Sequence, residues 1–186
     1  MLSMNDLKIG RVISLENQPF IVVSSQHVQM GRGGAILRTK LKNLVTGQVL
    51  EKTFKSGDKI NEADLTYQKS SFLYKENDKY YFMNSETYDQ FFLSADNIGQ
   101  DKNYLKEGLE VKTMIFQNKP VAIEIPKKIE LKIIQTEPGV RGDTAQGSVT
   151  KPATLETGYK INVPLFINQE DIVKINTETG EYVERV

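Results

Sequence analysis

The stretch Ala35-Ile36-Leu37-Arg38-Thr39-Lys40-Leu41-Lys42-Asn43-Leu44, then Val45-Thr46-Gly47, then Val49-Leu50-Glu51-Lys52-Thr53-Phe54 reads as two strands joined by a glycine-bearing turn. Alternate residues of a strand share a face, so Arg38, Lys40 and Lys42 form a basic stripe opposite an apolar one. A solvated strand face has the same pattern, and so does a face that meets an RNA backbone. Immediately upstream, Met30, Gly31, Arg32, Gly33 and Gly34 form a glycine-rich tip with one arginine at its centre. Glycine permits close backbone approach, and a guanidinium offers a rigid fork of donors for phosphates or base edges.

The rest of the chain follows the same grammar of short Val, Ile, Tyr, Phe and Thr runs between Gly, Asn, Asp and Pro. Residues 11–15 and 20–25 make a hairpin around Glu16-Asn17-Gln18-Pro19. Residues 72–74 and 80–83 flank the polar turn 75–79, and residues 111–116 and 121–125 flank Gln117-Asn118-Lys119-Pro120. In the last third, strands are expected at 131–136, 159–163, 172–176 and 181–186. Helical turns are expected only from Ser94 to Ile98 and near Tyr104 to Glu107. No internal repeat is evident. The fold class is all-β: three small β-barrel domains at residues 1–63, 64–127 and 128–186, the last two resembling OB-fold barrels.

Composition removes several classes of function. The 186 residues contain no cysteine, which excludes disulfides, thiolate nucleophiles and cysteine zinc sites, and His27 is the sole histidine. No G-x-S-x-G elbow accompanies it. The acidic neighbours Glu170 and Asp171 would point to opposite faces of a strand and cannot share acid–base work. No catalytic residue, metal or cofactor is therefore expected. No apolar run is long enough for a membrane helix, and Asp6 and Lys8 interrupt any leader, so a cytoplasmic, membrane-free protein is expected. Net charge is +0, yet residues 1–62 hold nine basic and five acidic side chains while residues 63–126 hold seven and ten. The basic end points to an anionic partner. Seven aromatics, Phe72, Tyr74, Tyr80, Tyr81, Phe82, Phe91 and Phe92, fall in the acidic middle, where a core role is expected for most.

Several segments, in order along the chain, carry a resemblance to a known family. They are the tip with residues 38–44, Glu51-Lys52-Thr53-Phe54-Lys55-Ser56-Gly57-Asp58, and Tyr81-Phe82-Met83-Asn84. They continue with Glu137-Pro138-Gly139-Val140-Arg141-Gly142-Asp143-Thr144, Lys151-Pro152-Ala153-Thr154, Val163-Pro164-Leu165-Phe166-Ile167, and Gly180-Glu181-Tyr182-Val183-Glu184-Arg185-Val186. Together they resemble the bacterial elongation factor P family over nearly the whole chain.

That resemblance implies an N-terminal KOW barrel, SH3-like, followed by two OB barrels in an L-shaped, tRNA-like arrangement. It implies a monomeric translation elongation factor that binds the 70S ribosome between the peptidyl and exit sites and relieves stalling at consecutive prolines. Arg32 would reach the CCA end of the peptidyl-tRNA, flanked by Met30, Gly31, Gly33 and Gly34, and Arg38, Lys40 and Lys42 would follow RNA backbone. Arg141, Gly142, Asp143 and Thr144 would lie near the exit-site codon on the small subunit, and Tyr182 and Arg185 would touch the ribosome or tRNA. Two departures stand out. Many members carry a modified lysine where this chain has Arg32. One branch has a rhamnosylated arginine there, which leaves bare and rhamnosylated Arg32 open and brings an arginine rhamnosyltransferase in as a partner. Glu170 stands where the family pattern has glycine. An elongation-factor-P-like paralogue and a general single-strand RNA-binding OB protein are the alternatives.

Overall fold

A computed structural model describes residues 2–30, 34–138 and 150–186. Among them, strands form three curled five-stranded sheets. The first contains β1 (Val12–Leu15), β2 (Gln18–Met30), β3 (Gly34–Asn43), β4 (Val49–Lys55) and β5 (Asn61–Glu62), in the order β4-β3-β2-β1-β5. The second contains β6 (Thr66–Glu76), β7 (Lys79–Asn84), β8 (Gln90–Ser94), β9 (Glu110–Phe116) and β10 (Lys119–Glu124), in the order β10-β9-β6-β7-β8. The third contains β11 (Lys128–Thr136), β12 (Thr150–Leu155), β13 (Lys160–Pro164), β14 (Ile172–Asn176) and β15 (Tyr182–Arg185), in the order β13-β12-β11-β14-β15. Counted from its own first strand, each of the last two sheets runs three-two-one-four-five. That is a shared topology with little shared sequence.

The turns are tighter than the sequence suggested. Glu16-Asn17 and Gln117-Asn118 are two-residue connections with both residues at positive φ (50° and 59°, 48° and 61°), the backbone that matches strand twist in a hairpin. Pro19 and Pro120 therefore sit inside strands. Pro19 faces Leu44, whose N–H donates to the Pro19 carbonyl at 2.9 Å, and the reciprocal bond is absent because proline has no N–H. Strand β2 also runs on past Ser25 to Met30. A bulge between Val22 and Ser24 shifts its phase, so that the polar run Ser24 to His27 continues the ladder rather than ending it. Strand β12 was not anticipated, because it contains Pro152, whose carbonyl accepts from the Thr136 hydroxyl at 3.0 Å. Ser94 caps α1 (Ala95–Ile98) as expected, accepting from the Asn97 N–H. The second helical turn lies earlier than expected, a 3-10 turn at Gly99–Tyr104, and another occupies Met4–Asp6.

One corner recurs in all three sheets. At Asn43, Asn84 and Asn176 the side-chain oxygen accepts the backbone N–H groups two and three residues on, at 2.8 to 3.4 Å, and a threonine follows at the third position. The Asn N–H then bonds across the loop to the carbonyl of Gln48, Asp89 or Glu181. The loop closes through a left-handed residue, which is Gly47 (φ 77°), Tyr88 (φ 63°) or Gly180 (φ 75°). Tyr88 pays the steric cost that glycine avoids.

By packing, the chain forms two compact units, one of residues 1–68 with 113–122 and one of residues 69–112 with 123–186. The first encloses Leu7, Ile13, Phe20, Val22, Leu37, Leu41, Phe54 and Ile60, with a second cluster joining Val12, Leu44 and Ala63 to Met114, Val121 and Ala122. In the second unit one core runs from Phe72, Tyr80 and Phe82 through Ile129 and Leu131 to Val173 and Ile175. Burying one such side chain is worth about 1.5–3 kcal/mol. Polar bridges tie the same unit together: the Thr157 hydroxyl donates to the Asn103 carbonyl at 2.7 Å, Lys106 donates to the Glu130 carbonyl at 2.7 Å, and Tyr104 meets Tyr159 edge-on at 5.5 Å.

Left-handed residues give a direct test. Glu170, like Tyr88, has a left-handed backbone, at φ 75°. Relief of left-handed strain, set against the greater freedom of an unfolded glycine, should make Tyr88→Gly and Glu170→Gly each more stable by roughly 0.5–1 kcal/mol. In contrast, a Cβ at Gly180 would lie 3.1 Å from the Tyr104 hydroxyl at an unfavourable φ, so Gly180→Ala should destabilise by about 1–2 kcal/mol. Urea unfolding of the three variants checks both signs.

Candidate nucleic-acid interface

Along β3 the side chains alternate cleanly: Leu37, Thr39 and Leu41 are buried, Arg38 and Lys40 are exposed, and Lys42 is half-buried. The stripe expected from the sequence is therefore one continuous outer face. At Arg38 and Lys40 the neighbours across the ladder are polar, whereas Lys42 lies between Ile21 and Val49. Arg38 lies between Gln26 of β2 and Thr53 of β4, and Lys40 lies between Ser24 and Glu51. The bulge in β2 produces this register, because it turns Ser24 outward although Val22, two residues before, points into the core. Together these residues line a shallow depression of about 520 Å³.

Electrostatics favour an anion at this face. Lys40 pairs with Glu51 at 3.4 Å, an exposed contact worth at most about 1 kcal/mol. Arg38 makes no ion pair among the described residues, so its guanidinium keeps its donors for a partner. Beneath the stripe, the buried Thr39 hydroxyl donates to the Lys52 carbonyl at 2.8 Å, which leaves no polar debt on the inner face. Lys52 extends its ammonium to 5.7 Å from the Phe54 ring.

The β2–β3 ladder continues to the pair Met30 and Gly34. Gly31, Arg32 and Gly33 lie outside the described residues, as do Arg141, Gly142, Asp143 and Thr144. The C-terminal pair is described, and the two residues differ. Tyr182 is half-buried against the core of the second unit, whereas Arg185 faces outward, its guanidinium 3.7 Å from Asp171 and 5.8 Å from the ring of the exposed Phe166. Strand β15 is held by Lys174, which donates to Glu184 at 2.7 Å. That bond holds the Glu184 carboxyl below the usual range and raises the Lys174 ammonium.

Sequence reasoning missed one surface. Of the seven aromatics singled out on β6, β7 and β8, Phe72, Tyr80 and Phe82 are buried and Phe91 packs on them, stacking on Phe82 at 5.6 Å. Tyr74, Tyr81 and Phe92 turn the other way. A bulge between Phe72 and Tyr74 reverses the phase of β6, so two residues that a period of two would place on one face occupy opposite ones.

Small curled sheets, one bearing a basic outer stripe, make this a multi-barrel β protein of the kind found among translation factors. Three family models match along the chain: the elongation factor P KOW-like domain at residues 3–60, the elongation factor P OB domain at residues 65–123, and the elongation factor P C-terminal domain at residues 129–185. The chain belongs to the elongation factor P family and is a translation elongation factor. Among solved structures it is similar to a translation initiation factor 5A from Methanococcus jannaschii, at 20% identity and TM-score 0.43, over 67% of this chain and 90% of that one. A translation initiation factor 5A family protein from Naegleria fowleri matches at 14% identity and TM-score 0.40, over 67% of this chain and 96% of that one.

The stripe has a measurable signature. Arg38→Ala should leave thermal stability within about 0.5 kcal/mol, because its side chain is exposed and unpaired in the fold. Where Arg38 meets phosphate, the same variant should lower the slope of log affinity against log salt for tRNA by about one. Filter binding of tRNA across a salt series reads the slope.

Proposed function

We propose that the protein binds the ribosome between the peptidyl and exit sites and speeds peptide-bond formation at consecutive prolines by holding the peptidyl-tRNA in place. The observation that carries this reading is the match of all three elongation factor P models, in order, over nearly the whole chain. A second support is local. The longest strands of the first sheet, β2 and β3, run together to Met30 and Gly34, the two ends of the segment that contains Arg32, and carry Arg38 and Lys40 on their outer face. An arm of this kind combines reach with a charged flank.

In this reading Arg32 meets the CCA end, and Arg38, Lys40 and Lys42 track the tRNA backbone. Arg141 to Thr144 approach the exit-site codon, and Tyr182 and Arg185 serve docking. Proline is a constrained secondary amine and a poor attacking group, so a peptidyl-tRNA that wanders loses productive encounters. Restraining it raises the fraction of time in a reactive geometry without any proton transfer by the factor. Each tenfold gain corresponds to about 1.4 kcal/mol of barrier, a size that a few charge-assisted contacts supply. The factor acts as a monomer in the cytoplasm, without a cofactor, and an arginine rhamnosyltransferase modifies Arg32 where the host encodes one.

Arg32→Ala should fold normally and abolish rescue of a polyproline reporter in a reconstituted translation system, while synthesis of a proline-poor reporter is unchanged. Rescue at the level of the unaltered protein would remove the mechanism. Intact-mass measurement of protein from its native host should show one added deoxyhexose if Arg32 carries rhamnose.

A further inference from the structure

We propose that Lys151 is a positioning residue that aims the segment carrying Arg141 to Thr144, by fixing the direction in which the chain leaves β11. It is the one charged side chain buried among the described residues, at 6% exposure. On β12 it takes the first inward place, in phase with the core residues Ala153 and Leu155 and opposite the buried Val163 of β13. An apolar side chain would fill that place without taking an ammonium out of water. Lys151 pairs with no carboxylate among the described residues. Its Nζ donates instead to the main-chain carbonyl of Glu137 at 2.7 Å, so the buried charge is directed at a single peptide group.

That peptide group stands where the ladder between β11 and β12 gives out. The ladder runs through Gln135 with Thr154 and Thr136 with Ala153, and the next step sets Glu137 against Pro152. The Pro152 carbonyl is turned toward β11, where it accepts from the Thr136 hydroxyl at 3.0 Å, but its nitrogen carries no hydrogen to return to Glu137. The Lys151 ammonium supplies that donor, and its charge makes the bond stronger than the missing ladder bond. The carbonyl it holds belongs to the link between Glu137 and Pro138. Proline fixes its own φ and confines the residue before it to extended backbone, so bond and ring together narrow the directions open to the departing chain. Filling the core needs only an apolar side chain at this place, whereas holding a carbonyl beyond the last ladder pair needs a donor of this reach. The inference rests on the proposed function, in which Arg141 to Thr144 approach the exit-site codon, and adds the residue that aims them.

The test measures polyproline rescue in a reconstituted translation system against factor concentration, for the full chain and its variants, with the folded fraction of each read by circular dichroism at the assay temperature. Lys151→Met keeps the buried stem and removes the donor. It should fold and raise the half-maximal concentration about tenfold while the rate at saturating factor is unchanged, the split expected when docking geometry is lost and the contact at Arg32 is kept. Pro138→Ala, at an exposed position, leaves the Lys151 bond in place but frees the departing chain, and should act in the same direction whether or not Lys151→Met is stable. Asp143→Ala alone should also raise the half-maximal concentration about tenfold. Adding Lys151→Met or Pro138→Ala to it should change that value by less than about twofold, because the changes act through one segment, whereas a plain loss of stability would add in full. The inference is overturned, and the proposed function kept, if Asp143→Ala weakens rescue while Lys151→Met and Pro138→Ala do not, or if their effects add to that of Asp143→Ala. The inference and the role proposed for Arg141 to Thr144 fall together if Asp143→Ala has no effect.

Discussion

The antiparallel ladder between β2 and β3 carries more of the first unit than any other pairing. One side of it supplies Phe20, Val22, Leu37 and Leu41 to the core, and the other supplies Arg38 and Lys40 to solvent. Both roles depend on phase. Strand geometry permits only two directions for a side chain, so a slip of one residue would exchange the apolar and basic faces together. The bulge between Val22 and Ser24 is the single point where phase is reset, and without it Ser24 and Gln26 would face inward beneath the stripe. Charge on the outer face and stability of the inner one are thereby set by the same register.

The second unit solves a different problem. A barrel of about 60 residues buries too little surface to be robust by itself. Here the middle and last sheets share one core, from Phe82 to Ile175, and add side-chain bonds between the segment around Asn103 to Lys106 and the strands beyond Lys127. Lys106 contributes twice, donating to the Glu130 carbonyl and lying 3.8 Å from Glu156. Gly180 completes the fit, because the Tyr104 hydroxyl occupies the space a side chain would need.

Much of this was legible in the sequence, and the failures share a cause. Alternation in residues 35–44 gave β3 and its stripe directly, and Ser94 announced α1. Period-two reading failed at the bulges in β2 and β6, where one extra residue reverses every assignment after it. It ended β2 at Ser25, and it could not say which of the seven middle aromatics would leave the core. Prolines misled in a second way. Pro19, Pro120 and Pro152 look like turn residues, yet each lies inside a strand, and at Pro19 the structure shows a ladder pair that simply lacks one bond. The recurring Asn corner was present as Asn-x-x-Thr at residues 43, 84 and 176, but the varied left-handed residue, glycine twice and Tyr88 once, hid the repeat. Of the candidate site, the stripe and the C-terminal arginine could be read from pattern and resemblance. The aromatic face could not, since it exists only in register.

A common core also has a geometric meaning. The ring row on β6 to β8 and the outward Arg185 on β15 are mounted on sheets that share buried side chains, so the span between them is fixed by packing rather than by a hinge. The second unit therefore behaves as a caliper: whatever grips one jaw determines where the other comes to rest.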